Sequence, residues 1–223
     1  MLTDALKNDV NKRQRNCDAL YNAKYANRET IKNVNGILGN DVTGNRSVYI
    51  VEERVIHTNR YNFNTVLNTS INQYIDLSAG LTFESQKNNY YKKVNDLLGG
   101  AFYVDVNQFA QRDFGNNTDA TQNDINHPNR ILGVGDKFGY NYDIHIQKTS
   151  EWVQADVKFK KVQFFLSGEH SYTNYWRVGN VKSGLFPNNS YGKSKEQHFY
   201  NYAFNEGITY KFIQGNYIFY NSA

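Results

Sequence analysis

From Tyr74 to Glu84 apolar and polar residues alternate without a break. Ile75, Leu77, Ala79, Leu81 and Phe83 stand between Asp76, Ser78, Gly80, Thr82 and Glu84. A two-residue period marks a strand with one apolar face. About eleven residues is the length a tilted strand needs to cross a bilayer, whereas strands of soluble sandwiches run to about five or six.

The pattern recurs along the chain. Arg46 to Thr69 reads as one long strand, with Tyr61, Phe63, Thr65 and Leu67 alternating against asparagines, and Ser70 to Gln73 as a short turn into the Tyr74–Glu84 strand. Phe138 to Phe159 reads as the next strand. Its apolar residues change parity, from Tyr140, Tyr142, Ile144 and Ile146 to Val153, Ala155, Val157 and Phe159. That change requires either a bulge between Lys148 and Trp152 or a turn at Lys148 to Glu151. Lys160-Lys161 is a tight turn before Val162, Phe164 and Leu166. His198 to Phe212 alternates again, and Gln214-Gly215-Asn216 turns into Tyr217–Tyr220. Long connections, 87–137 and 175–196, carry Gly99-Gly100, Gly115, Gly133, Gly135, Gly179, Gly184 and Gly192 and both prolines, Pro128 and Pro187. Residues 1–45 are polar, Asn-rich and aperiodic, and read as a loop segment with some helix between Asp4 and Tyr25. The prediction is an all-β chain: residues 46–223 as about six antiparallel up-and-down strands, part of a large transmembrane β-barrel, with short turns on one side and long extracellular loops on the other. Odd positions Ile75 to Phe83 and even positions Tyr200 to Phe212 should share its apolar face, with Glu206 as the exception.

Composition sharpens this picture. Of 223 residues 15% are aromatic, with 18 Tyr and 14 Phe, while mean hydropathy is only −0.72. No apolar run approaches the roughly 18 residues of a helical span. Low hydropathy with many aromatics suits a barrel, where every second residue meets lipid and aromatic girdles mark the interfaces. The net charge of +4 is spread out, densest at Lys12, Arg13 and Arg15, without the basic stripe or module of a nucleic-acid binder. Cys17 is the single cysteine, so neither an intrachain disulfide nor a cysteine metal site is expected. Met1 to Lys12 has no apolar core of a signal peptide.

Catalytic and cofactor motifs are not found. His57, His127, His145, His170 and His198 lack metal-ligand spacing; His145, alternating with Asp143 and Gln147, reads as part of a polar wall. Asn116 to Asp124 fails the calcium-loop pattern in the place of its glycine and in its distal glutamate. Gly133-Val134-Gly135-Asp136 lacks a dinucleotide-binding context, and no serine sits in a nucleophile elbow. The expectation is a non-enzyme without cofactor or metal. The candidates for ligand contact are the aromatics assigned to loops, Tyr90, Tyr91, Phe102, Tyr103, Tyr175, Trp176 and Phe186, whose faces could stack on a ligand or on each other. Tyr175 and Trp176 could instead sit at a membrane interface.

Several segments resemble TonB-dependent receptors of the Bacteroidetes type: Arg54 to Ser70 with Tyr74 to Tyr91, Leu97 to Phe109 (LLGGAFYVDVNQF), Gly139 to Lys148 (GYNYDIHIQK) and Gly184 to Ser194 (GLFPNNSYGKS). The resemblance covers roughly residues 45–223. It implies an outer-membrane location, a barrel of about 22 strands with a plug in its lumen, nutrient uptake, and energy from a periplasmic coupling protein. Its partners would be outer-membrane lipid, the plug and the remaining barrel strands. The chain departs from that pattern in lacking a signal peptide, a TonB-contacting box, a plug and a closing aromatic strand, as expected of an internal fragment that forms an open sheet. The alternative reading is a soluble or cell-surface β-sandwich of adhesin type; a hydrolase comes third, for want of a motif.

Overall fold

The computed structural model describes residues 17–25, 27–213 and 215–223. The basic cluster Lys12–Arg15 and the turn residue Gln214 lie outside them. Strand makes up 63% and helix 9% of the structure, against roughly 20–25% strand in ordinary soluble domains. In chain order the elements are α1 (Cys17–Tyr25), β1 (Arg28–Ile31), β2 (Val42–Asn45), β3 (Val51–Asn72), β4 (Ile75–Asp96), β5 (Tyr103–Val104), α2 (Gln108–Asp113), α3 (Thr118–Thr121), β6 (Ile131–Leu132), β7 (Lys137–Phe159), β8 (Val162–Gly179), β9 (Gly192–Lys193), β10 (Gln197–Ile213) and β11 (Asn216–Ser222). The main sheet is ordered β11-β10-β8-β7-β4-β3, with β9 beside β8. It is an open, mostly antiparallel sheet and not a closed barrel.

β4 outruns the sequence reading: it has 22 residues and runs on to Asp96 rather than ending at Glu84, which shortens the connection expected at 87–137. β3, with 22 residues, starts at Val51 rather than Arg46 and ends at Asn72, and β7, with 23, matches the expected strand to one residue. Contacts divide the chain into two units: residues 1–56, 89–142 and 179–192, and residues 57–88, 143–178 and 193–223.

Within the first unit, residues 27–45 and the long connections are not the plain loops expected. β1 and β2 form an antiparallel hairpin, with Arg28 opposite Asn45 and Ile31 opposite Val42. Its connection is built by the asparagines that gave the segment its loop-like composition. Asn33 and Asn35 take left-handed backbone angles, φ 51° and 58°, which asparagine tolerates better than most residues. The Asn33 side chain accepts from Gly39 N at 3.0 Å, while Asp41 accepts from Asn33 N at 3.0 Å. Ile31, Val34, Phe102, Val104 and Val106 form one buried cluster; Val94, Leu97, Tyr103, Leu132 and Phe138 form another.

Helices α2 and α3 are each capped by an asparagine, Asn107 accepting from Phe109 N and Ala110 N and Asn117 from Ala120 N, all at 3.1 Å; such caps typically stabilise by about 1 kcal/mol. Asp105, 2% exposed, accepts from Arg130 Nη2 at 2.6 Å, Asn123 Nδ2 at 2.9 Å and Gly139 N at 3.0 Å. Buried Asp124 joins two distant connections: it accepts from His127 Nδ1 at 2.8 Å and from Lys182 N at 3.2 Å. Beside it, Ile125 N donates to Lys182 O at 2.8 Å and Gly184 N to Gln122 O at 3.0 Å. A Cβ on Gly184 would collide with the carbonyl of Asp119, so this approach needs glycine.

Candidate functional site

In the second unit, side-chain pairs reveal which positions share a face. On β3 and β4, Ser70 meets Asp76 at 2.6 Å, Arg60 meets Glu84 at 2.6 Å and Thr58 meets Asn88 at 2.7 Å. Even positions therefore make one polar face. The odd positions Tyr61, Phe63, Leu67, Ile71, Leu81 and Phe83 lie on the other, and all are exposed. Lys158 reaches Asp76 at 2.8 Å, and Trp152 lies over Gly80, which carries the polar face onto the even positions of β7.

The expected bulge in β7 is absent on its β8 side, and so is the alternative turn, since Lys137 to Phe159 is one strand. His145 stacks on Trp176, with centroids 5.0 Å apart, and Glu151 accepts from His170 at 2.8 Å. Both pairs keep the register set by the Phe159–Val162 hairpin, so no residue is inserted between Lys148 and Trp152 relative to β8. What changes along β7 is the chemistry of a continuous face: odd positions are apolar from Val153 to Phe159 and polar from Asp143 to Glu151. Parity of apolar residues misled because it assumed one environment along the whole strand.

The same face continues across β8, β10 and β11. Phe164 lies opposite Ile208, Leu166 opposite Glu206, Gly168 opposite Phe204, His170 opposite Tyr202 and Tyr172 opposite Tyr200; Tyr220 lies opposite Ile208 and Ile218 opposite Tyr210. Exposure is 71% for Phe204, 67% for Tyr202 and 55% for Leu166. Glu206 is exposed among them. The reverse face pairs Gln163 with Thr209, Ser167 with Asn205 and Ser171 with Asn201. On it Trp152 lies over Gly80 and Phe165 over Gly207.

Toward the Glu151 end, the apolar face passes into a belt of tyrosine and histidine. His170 packs 4.9 Å from Tyr202, and Tyr172 lies 5.0 Å from Tyr200. Tyr172 Oη and His198 Nδ1 are 2.7 Å apart. Beyond them, Trp176 is held between His145 and the Lys193 ammonium, 4.7 Å from its ring.

The aromatic candidates are dispersed, and most are not in loops. Tyr90 and Tyr91 belong to β4; Tyr90 stacks on Tyr142 at 5.1 Å and Tyr91 lies under Lys137 at 4.0 Å. Tyr175 and Trp176 belong to β8, and Tyr175 stacks on Phe199 at 5.8 Å. Phe102 and Tyr103 are buried in separate clusters. Burial, and next the Asp105 carboxylate, push the Tyr103 phenol above its usual range. Only Phe186 is an exposed loop residue, 61% accessible. The histidines likewise stay apart: His57 faces Asn59, His127 Asp124, His145 Trp176, His170 Glu151 and His198 Tyr172. Among the described residues no cluster of three or more potential ligands could hold a metal.

Sequence reasoning missed the Tyr–His belt. The alternation of Tyr200 and Tyr202 was visible, but their meeting with Tyr172 and His170 depends on register. No helix among the described residues is long and apolar enough to cross a membrane, which does not bear on strands. Compared with known proteins, the chain matches no family model and no curated protein.

Proposed function

We propose that the second unit is lipid-facing wall of an outer-membrane transporter similar to TonB-dependent receptors, working in nutrient uptake by binding and transport rather than catalysis. The observation that carries this reading is the exposed apolar face running from Tyr61–Ile71 across to Ile218 and Tyr220, backed from β3 to β10 by a mostly polar face on the alternate positions. In water such a face is a liability on a monomer; in a bilayer it is the required surface. The Tyr–His belt then sits at headgroup level, where amphipathic rings accumulate. The outer edges of β3 and β11, unpaired among the described residues, are met by further strands, since a wall exposed to hydrocarbon leaves no backbone group unsatisfied. The polar face looks toward a plug, and a periplasmic coupling protein acts through that plug.

Paired single cysteines in a Cys17→Ser background test this. After reconstitution in vesicles, a fluorophore at Phe204→Cys should be quenched by lipid-borne nitroxide and spared by aqueous iodide. At Asn205→Cys the order should reverse. Iodide quenching at both positions would remove the lipid-facing reading. Shielding of position 204 from both quenchers would favour a β-sandwich with a second sheet on that face.

A further inference from the structure

The first unit holds a cleft of about 630 Å³ that follows four consecutive residues, Glu29, Thr30, Ile31 and Lys32. This is the side of β1 away from β2, in a hairpin sheet that has two strands among the described residues. The register shows which main-chain groups point there. Arg46 N donates to Asn27 O at 3.0 Å, and Asn45, opposite Arg28, turns its carbonyl away from β1 to accept from Ala101 N at 2.8 Å. Antiparallel pairs alternate between bonded and unbonded. Glu29 and Ile31 therefore bond to β2, while Arg28 and Thr30 direct their N–H and C=O outward.

At the far end, the Lys32 carbonyl is already taken by Asn129 Nδ2 at 3.0 Å. Asn129 is itself fixed by Gln122, whose side chain accepts from Asn129 N at 2.9 Å and donates to Asn129 Oδ1 at 3.1 Å. Thr30 thus presents one donor and one acceptor to the cleft, with no partner on that side among the described residues. Ile31, Val104 and Val106 give the cleft an apolar floor. Gln111, Thr118 and Asp119 also line it. Glu29 and Arg46 neutralise each other at 3.1 Å, whereas Lys32 and Asp119 form no ion pair among the described residues, leaving one charge of each sign on the cleft.

We infer that this cleft binds a short free peptide in extended form, added to β1 as a third strand. Main-chain pairing with Thr30 supplies the register. Lys32 suits the peptide's carboxylate and Asp119 its ammonium, and the apolar floor accepts the side chains that point down. The binding stands on the first unit alone and does not require the second unit to meet lipid.

Calorimetry on the full chain in detergent, with tetra-alanine as probe, tests the inference. Tetra-alanine should bind. The same peptide N-methylated at its internal amides should bind at least about tenfold more weakly, as should maltotetraose, because one lost hydrogen bond is worth about 1 kcal/mol or more. Thr30→Pro removes the outward N–H at a position where an edge strand tolerates proline, and should cost a similar factor. Thr30→Val keeps the main chain and should retain binding. Absence of heat with tetra-alanine, or equal binding of the methylated peptide, of maltotetraose or by Thr30→Pro, would overturn it.

Discussion

Gly80 is the position at which a single methyl group matters most for the polar face. The Trp152 indole occupies the space a Cβ would take, so the strand gives up a side chain and the ring covers the gap, as aromatic residues do over glycine in designed sheets. Gly80→Val is expected to displace Trp152 and destabilise the sheet by about 1–3 kcal/mol. In a Trp176→Phe background, which leaves one of the two tryptophans, this should appear as a shift in emission maximum. An unchanged spectrum would place the ring elsewhere. Tyr103 supplies a pH signature for the first unit. Its phenol is raised by burial, so the unfolded chain ionises first, near the ordinary value of about 10. Stability due to neutral Tyr103 is complete below that pH and is lost as pH rises through the higher folded value. Melting followed between pH 9 and about 11 should show an alkaline decline that Tyr103→Phe reduces. At this scale the sequence disclosed which residues are aromatic but not their surroundings. Phe102 and Tyr103 are neighbours in sequence, yet adjacent strand positions point to opposite sides, and each entered a different core cluster.

Strands were the most legible elements, because alternation survives wherever one face stays apolar. The Tyr200–Phe212 pattern appears as an exposed face with its Glu206 interruption intact. β1 and β2 were hidden because four residues each are too short for a period and their turn is made of asparagine, which reads as loop. In β7 the expected bulge arose from treating a change of surroundings as a change of backbone. Charge placed on the two faces separates the competing readings. If Phe204 faces hydrocarbon, Phe204→Arg should cost up to about 2–4 kcal/mol in lipid, measured by urea unfolding in vesicles. Asn205→Arg, one residue on and half-buried on the opposite, polar face, should cost clearly less, about 1 kcal/mol or below. Equal effects at the two positions would contradict the lipid assignment.

For the whole molecule, an apolar face and two open edges predict behaviour in bulk. Without detergent the purified chain is expected at the void volume in size-exclusion chromatography, and in detergent as a defined species. A monodisperse, cooperatively melting monomer in plain buffer would defeat the proposed function. Alternation and turn residues supplied the hairpin order, but they could not reveal that the long connections fold together. Their joining rests on single groups such as the Asp124 carboxylate and the Gln122 carbonyl, with nothing periodic to betray it. That joining bears on how such a chain can change by recombination. The Asp124–Lys182 bond spans 58 positions of sequence and the Asn129–Lys32 bond spans 97, so three stretches form one inherited block. Transplanting the 97–136 stretch alone into a different scaffold would carry Asp124 and Gln122 away from Lys182 and Gly184. A graft that preserves the surface must move residues 27–47, 97–136 and 180–191 as a set, and natural exchange between related genes faces the same all-or-nothing choice.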